Sequence, residues 1–195
     1  MKSIPNILTI SRILFFPFIF VIYYSDNNWN NFFACFLFTT IALTDLLDGY
    51  IARKYQASSK LGEFLDPIAD KIIAVACMIL IVGEHKTYIE IIGEHSVLWL
   101  VIPTVIMVTR ELIMAGMREI LANEGQRNII QVNSLGKWKT LLQLIAIGFL
   151  IFNNWSTVVY IGYSLYLIAT ILTLISFASY IWASLDTFIN LAKKA

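Results

Sequence analysis

Charged residues are scarce in this sequence, and the scarcity excludes most of what a chain of this length can be. Only 14% of the 195 residues are Asp, Glu, Lys or Arg, against roughly 25% in a soluble domain. None lies between Asp26 and Asp45, and none from Thr140 to Leu185. With 58% hydrophobic residues and a mean hydropathy of +0.74, the composition is that of an integral membrane protein. A net charge of +1 argues against nucleic acid as a partner. Cys35 and Cys77 both sit in apolar runs; they are too few for a disulfide framework and read as small packing residues. His85 and His95 each follow a glutamate, but they fall in a polar loop far from the other candidate ligands and read as solvated. The N-terminus has no basic region followed by a small-residue cleavage site, and no Arg-rich transit peptide, so no cleavable leader is expected.

At ~20 residues per span, the length allows about six membrane helices joined by short loops. Residues 1–12, with Pro5, Thr9 and Arg12, predict a short amphipathic helix at the membrane surface. Span one follows at about Ile13 to Tyr24, kinked by Pro17. Span two runs from Phe32 into the first aspartates. Span three starts near Pro67, a good first-turn residue, and ends near Val82. A loop from Gly83 to Ser96 precedes span four, which starts near Val97. Residues 122–139 are polar, and Asn153-Asn154-Trp155-Ser156 divides the last apolar run into spans five and six. Six spans put Arg12, Arg53, Lys54, Lys60, Arg127, Lys137, Lys139, Lys193 and Lys194 on one side, while the opposite loops hold only Lys86. The positive-inside rule then makes both termini cytoplasmic. With no repeat, linker or low-complexity segment, residues 1–195 read as one all-α membrane domain.

Against this apolar background the acidic residues are concentrated. The stretch from Asp45 to Asp70 reads Asp-x2-Asp-Gly-x2-Ala-Arg-x8-Gly-x3-Asp-x3-Asp. On a helix, Asp45, Asp48, Gly49 and Ala52 share a face, and so do Gly62, Asp66 and Asp70. The polar segment from Lys54 to Leu61 is about the length of a connection between antiparallel helices. Two helix ends can thus gather four carboxylates at one level. Such crowding requires cations. With no histidine or cysteine nearby, the set is a hard oxygen site, suited to magnesium, manganese or calcium. Ionisable groups within spans are usually functional, and here arginines on span four and lysines before span five join the aspartates. Carboxylates, metal and arginine together suit a phosphate-bearing substrate. Two metals ~3.5–4 Å apart would clamp the attacking and leaving oxygens of a displacement at phosphorus. Gly49, Ala52 and Gly62 allow a nucleotide or pyrophosphate to approach the helix backbone; the same small residues also permit tight helix packing.

The eight fixed positions Asp45, Asp48, Gly49, Ala52, Arg53, Gly62, Asp66 and Asp70 resemble the signature of the CDP-alcohol phosphotransferases. The resemblance implies a six-helix membrane enzyme that transfers a phospho-group from a CDP-linked donor to an alcohol and releases CMP. It implies that Asp45, Asp48 and Asp66 hold two magnesium or manganese ions, with Asp70 as a further ligand and the general base. Thr9, Gly49, Ala52, Arg53, Ser59 and Gly62 would line the CDP-donor site. Asn6 to Arg12 with Pro17, Asp66-Pro67-Ile-Ala-Asp70-Lys71, Arg110-Glu111-Leu112, Arg118 and Gly136-Lys137-Trp-Lys139-Thr140 resemble the branch of that family that makes phosphatidylglycerophosphate. That branch implies CDP-diacylglycerol as donor and glycerol 3-phosphate as acceptor, with Arg110, Arg118, Lys137 and Lys139 around the acceptor phosphate. It also implies a homodimer in a bacterial inner membrane, with the site facing the cytoplasm.

Other readings stay open at this point. Relatives that use inositol phosphate carry basic residues in the same regions, and serine or phosphatidylglycerol are other acceptors the family could imply. Arg110–Glu111 and Arg118–Glu119 are also consistent with structural pairing at the end of span four, and Lys137 and Lys139 with a positive-inside anchor. Intramembrane prenyltransferases use aspartate-bound magnesium too, but on helices far apart in sequence and with more spans than this length allows. A divalent-cation transporter would place acidic residues near mid-membrane, with a path to both faces. Spans one, five and six have no acidic residue in their cores.

Overall fold

Hydrocarbon offers no partner to a peptide N–H or C=O, so apolar runs of this length are confined to helices or closed barrels. The computed structural model describes residues 10–55, 60–123, 125 and 134–192, and every regular element among them is a helix. The side chains at 45–55, 60–67, 70, 85, 96, 97, 134, 135, 137, 186 and 190–192 lie outside that description. The helices are α1 (Pro17–Tyr23), α2 (Asn30–Tyr55), α3 (Lys60–Gly83), α4 (His85–Ile92), α5 (Ser96–Asn123), α6 (Ser134–Phe152) and α7 (Ser156–Ala192). Residues 10–15 are also helical and lead into α1. Pro17 stands at the first position of α1, after a break at Phe16, as expected of a residue with no N–H to continue the ladder. Residues 1–9, including Thr9, lie outside the described residues.

Two stretches, Leu98–Asn123 and Ser156–Leu185, are long and apolar enough to cross a membrane. A third candidate is the pair Lys71–Gly83 and Lys86–Ile92, bent by 66°, and Ile10–Tyr23, Asn30–Thr44 and Trp138–Phe152 are shorter apolar helices. Large apolar side chains such as Leu14, Phe36, Ile79, Leu112 and Trp182 cover the outside of the bundle, as a lipid-facing surface requires. Hydroxyls within the helices are satisfied locally: Thr39, Thr40 and Thr44 on α2, and Thr170, Thr173 and Ser184 on α7, each donate to the carbonyl four residues back.

Two expectations change. The helix that carries span three begins before Pro67 rather than at it: α3 starts at Lys60, so Pro67 lies inside the helix. A proline there removes one backbone hydrogen bond, and the helix is already established by the turns before it. The segment expected as a loop after Gly83 contains a helix, α4. One face of this short helix is buried, because Tyr88 is 1% exposed and donates to the carbonyl of Leu150 at 2.9 Å. Leu150 lies in the last turn of α6, where carbonyls lack helical partners. Tyr160 on α7 donates to the carbonyl of Ile91 at 2.6 Å.

The core runs the length of the bundle around α6, whose Ala146, Ile147, Leu150 and Ile151 are fully buried. They meet Phe38 and Ile41 from α2, Cys77 and Met78 from α3, Leu100 and Met107 from α5 and Tyr166 from α7. Both cysteines are free thiols; Cys35 points its sulfur at the carbonyl of Gly148 across the α2–α6 contact. At the turn end of α6 a polar network fixes the helix ends. Asn31 donates to Asn153 and, at 3.0 Å, to Asn154, while Asn153 donates to the hydroxyl of Tyr23 at 2.9 Å. Tyr24 lies at the same end. With Glu84 it lines a polar pocket there.

α6 and α7 pack tightly at Gly162. A methyl group there would stand 2.9 Å from Phe149 Cβ and 3.2 Å from the backbone nitrogen of Leu150. Gly162→Ala should therefore destabilise the hairpin by about 1–3 kcal/mol, the usual range for overpacking. A lower thermal midpoint in detergent is the expected outcome, and an unchanged or higher midpoint would contradict this close contact.

Candidate active site

The motif falls on two helices. Asp45, Asp48, Gly49, Ala52 and Arg53 lie on the second half of α2, and Gly62, Asp66 and Asp70 on the first half of α3. The helical backbone supports the expected face-sharing in each group. The side chains of these residues lie outside the description, as does Lys137, and Ser59 falls outside the described residues altogether. Among the described residues, no three His, Cys, Asp or Glu side chains gather into a metal-binding group.

What the structure does define is the floor beneath the motif. Ile41 and Ala42 on α2 stand one turn before Asp45, and Ile73 and Ala74 on α3 one turn after Asp70. These four residues line a single cavity of about 110 Å³, together with Arg12, Phe38, Thr140 and Leu144. One turn of helix is about 5.4 Å. The aspartate-bearing ends of α2 and α3 therefore start from the same small cavity, with α6 closing its side. Arg12 is 2% exposed, an unusual burial for arginine. The sequence reading puts Arg12 in the amphipathic surface segment and among the cytoplasmic-side charges; its position directly before a long apolar run is the signal for an inward turn.

The basic residues separate into two groups. Arg110 on α5 and Lys139 on α6 meet at one carboxylate. Glu111 Oε1 accepts from Lys139 Nζ at 2.5 Å and from Arg110 Nη1 at 3.1 Å. The side chains of Lys139, Arg110 and Glu111 are 3%, 7% and 25% exposed. Arg110 Nη2 donates to Ser176 Oγ on α7 at 3.2 Å, and its guanidinium lies 5.8 Å from the centre of the Tyr180 ring. Arg118, by contrast, is exposed on α5 two turns further along. The structure thus brings together two of the four expected acceptor residues, and it bears out the pairing of Arg110 with Glu111. Glu111 also lines a second cavity of about 110 Å³ with Lys71, Ala74, Thr140 and Gln143. Lys71 follows Asp70 directly, so the basic cluster and the motif helix α3 share a wall.

Chemically, the helix that carries Asp66 and Asp70 in sequence shares a cavity wall with a buried, net-cationic cluster. The arrangement suits a substrate pair that bears phosphates on both partners.

The sequence profile of the CDP-alcohol phosphatidyltransferase family matches residues 2–184. Among curated proteins, the chain is similar to the CDP-diacylglycerol–glycerol-3-phosphate 3-phosphatidyltransferase of Shigella flexneri serotype 5b (strain 8401). The two are 33% identical over 182 residues, covering 93% of this chain and 94% of the relative. The protein of the same name from Escherichia coli (strain K12) is similar to the same extent, 33% identical over 93% of this chain and 94% of its own length.

The ion cluster sets an order of stabilities. Glu111→Leu leaves two buried cations without their shared partner, and breaking a buried pair from one side costs about 3–5 kcal/mol. Lys139→Met leaves Arg110 and Glu111 as a neutral pair and should cost less. Thermal midpoints in one detergent should fall in the order wild type, Lys139→Met, Glu111→Leu; the reverse order of the two variants would contradict a cluster held by Glu111.

Proposed function

The chain belongs to the CDP-alcohol phosphatidyltransferase family, and from that premise we propose that it transfers the phosphatidyl group of CDP-diacylglycerol to glycerol 3-phosphate, forming phosphatidylglycerophosphate and releasing CMP. The observation that carries this reading is the shared wall between the motif helix and the buried cations. The cavity that touches Lys71, next to Asp70, also touches Glu111, which holds Arg110 and Lys139. A donor diphosphate at the aspartates and an acceptor phosphate at the cations would then face each other.

Asp45, Asp48, Asp66 and Asp70 hold the divalent cations in this reading. An all-carboxylate donor set on two helix faces fits magnesium or manganese. When bound, these ions neutralise the donor diphosphate and the departing CMP. Thr9, Gly49, Ala52, Arg53, Ser59 and Gly62 line the cytidine diphosphate, with the small residues admitting it close to the backbone. Arg110 and Lys139, together with the exposed Arg118 and with Lys137, bind the acceptor phosphate. Asp70 takes the proton from the attacking glycerol hydroxyl. The new O–P bond forms at the phosphorus carrying diacylglycerol, and the bond to the bridging oxygen breaks, its electron pair leaving with CMP. Such a direct displacement inverts a chiral phosphorus, whereas a covalent phosphatidyl-enzyme would retain it. An apolar cavity of about 250 Å³ between α2 and α6, lined by Phe38, Ala42, Leu144 and Gly148, suits an acyl chain of the donor.

The same reading takes residues 1–195 as one domain with six spans, both termini in the cytoplasm and the site opening there, in a bacterial inner membrane and as a homodimer. The basic residues on one side support the orientation. The 26 residues of α2 rise about 39 Å at 1.5 Å each, enough to cross a hydrocarbon layer of ~30 Å.

Purified protein with CDP-diacylglycerol and magnesium, offered single acceptors, tests the assignment. Glycerol 3-phosphate should release CMP faster than inositol 1-phosphate, serine, inositol or phosphatidylglycerol; a preference for any other acceptor would refute it. Chelation should abolish turnover and magnesium restore it. Asp45→Asn, Asp48→Asn and Asp66→Asn should each lower kcat by at least the ~100-fold that even supporting residues of metal sites reach. Retained turnover with unchanged magnesium dependence in any of them would remove that residue from the metal site. Arg110→Ala removes charge-assisted hydrogen bonds of about 1.5–3 kcal/mol each, so the acceptor KM should rise about 10–100-fold with the donor KM nearly unchanged.

A further inference from the structure

The buried cluster contains a carboxylate to which the reaction above gives no part. We propose that Glu111 is a positioning residue for the acceptor's phosphate: it fixes the two cations that bind the phosphate and sets their residual charge. The proposal rests on the assignment of Arg110 and Lys139 to that phosphate.

The geometry makes Glu111 the meeting point of two helices. Arg110 is its neighbour on α5, whereas Lys139 arrives from α6, and both donate to the same oxygen, Oε1. The remaining contacts of Arg110 limit its freedom: Nη2 is tied to Ser176 on α7, and the guanidinium lies over Tyr180. Without the carboxylate, two buried like charges would repel and separate, and the distance between them would no longer be set.

The charge count is as informative as the distances. One carboxylate against two cations leaves the cluster with one positive charge, in a place where Arg110 and Lys139 are almost wholly buried. An unneutralised buried cation is strongly unfavourable. Arg110 Nε is also buried and donates no hydrogen bond among the described residues. A surplus positive charge beside a spare guanidinium N–H is what a phosphate oxygen requires. A second carboxylate would neutralise the cluster and repel the substrate. With none, the two cations would have no common anchor. The single negative charge of Glu111 satisfies both demands.

Steady-state CMP release tests this with Glu111→Gln, Glu111→Asp, Arg110→Lys and the double variant Arg110→Lys/Glu111→Gln, varying glycerol 3-phosphate and CDP-diacylglycerol in turn. Glu111→Gln keeps the size and an acceptor oxygen but removes the charge. It should raise the acceptor KM about tenfold and leave the donor KM within about twofold. Glu111→Asp keeps the charge and should fall between Gln and wild type. In the Arg110→Lys background, Glu111→Gln should add less than it does alone, because it acts through the same group. If Arg110→Lys raises the acceptor KM and neither Glu111 variant does, the positioning role is overturned and the acceptor assignment stands. If no variant moves the acceptor KM, both fall. Equal rises in donor and acceptor KM, full additivity in the double variant, or an Asp variant no better than Gln would each overturn the positioning role.

Discussion

Lys139 and Arg110 reach one carboxylate oxygen of Glu111, at 2.5 Å and 3.1 Å, and that shared contact ties α6 to α5 inside an apolar bundle. Through Ser176 the same cluster reaches α7. Charges in such surroundings persist only when paired and hydrogen-bonded. The pairing therefore constrains the packing of all three helices. α6 in turn lies against both α2 and α3, with Thr140 and Leu144 in the cavity beneath the aspartates. α6 thus carries residues of both the basic cluster and the cavity one turn from Asp45 and Asp70 in sequence.

The opposite end of the bundle is held by neutral groups. Tyr23, Asn31, Asn153 and Asn154 bond to one another, and Tyr88 completes the last turn of α6. Among the described residues the ion pairs lie in the α5–α6 cluster, whereas amides and phenols, with the carboxylates Asp26 and Glu84, line the other end. This asymmetry accords with a site that receives charged, water-soluble substrate from one side and a lipid from within the bilayer. An apolar cavity lies between α2 and α6.

Much of this was legible in the sequence because charge is so scarce there. Asp45, Asp48, Asp66 and Asp70 stand out by spacing alone, and a helical period puts each group on one face. The apolar runs located most of the helices for the same reason. Pro67 misled because proline is favoured at helix starts, while here the preceding polar segment is helical from Lys60. α4 was missed because its 8 residues read as a charged loop; the burial of Tyr88 depends on a carbonyl 62 residues away. The partnership of Arg110 with Glu111 was visible between neighbours. The third member, Lys139, lies 28 positions further on, and no local pattern links it to them. The burial of Arg12 is likewise a tertiary fact, set by where α2, α3 and α6 converge.

The central claim is that the aspartate motif and the Arg110–Glu111–Lys139 cluster face one reaction space. Phosphorus magnetic resonance of glycerol 3-phosphate tests it most directly, with manganese as the divalent ion and CMP in place of the lipid donor so that no turnover occurs. Wild-type protein should broaden the phosphate resonance beyond the effect of manganese in matched solution. That extra broadening should vanish in both Asp66→Asn and Arg110→Ala. Broadening that persists in Arg110→Ala, or its absence in a wild-type protein that binds both manganese and glycerol 3-phosphate, would contradict the account.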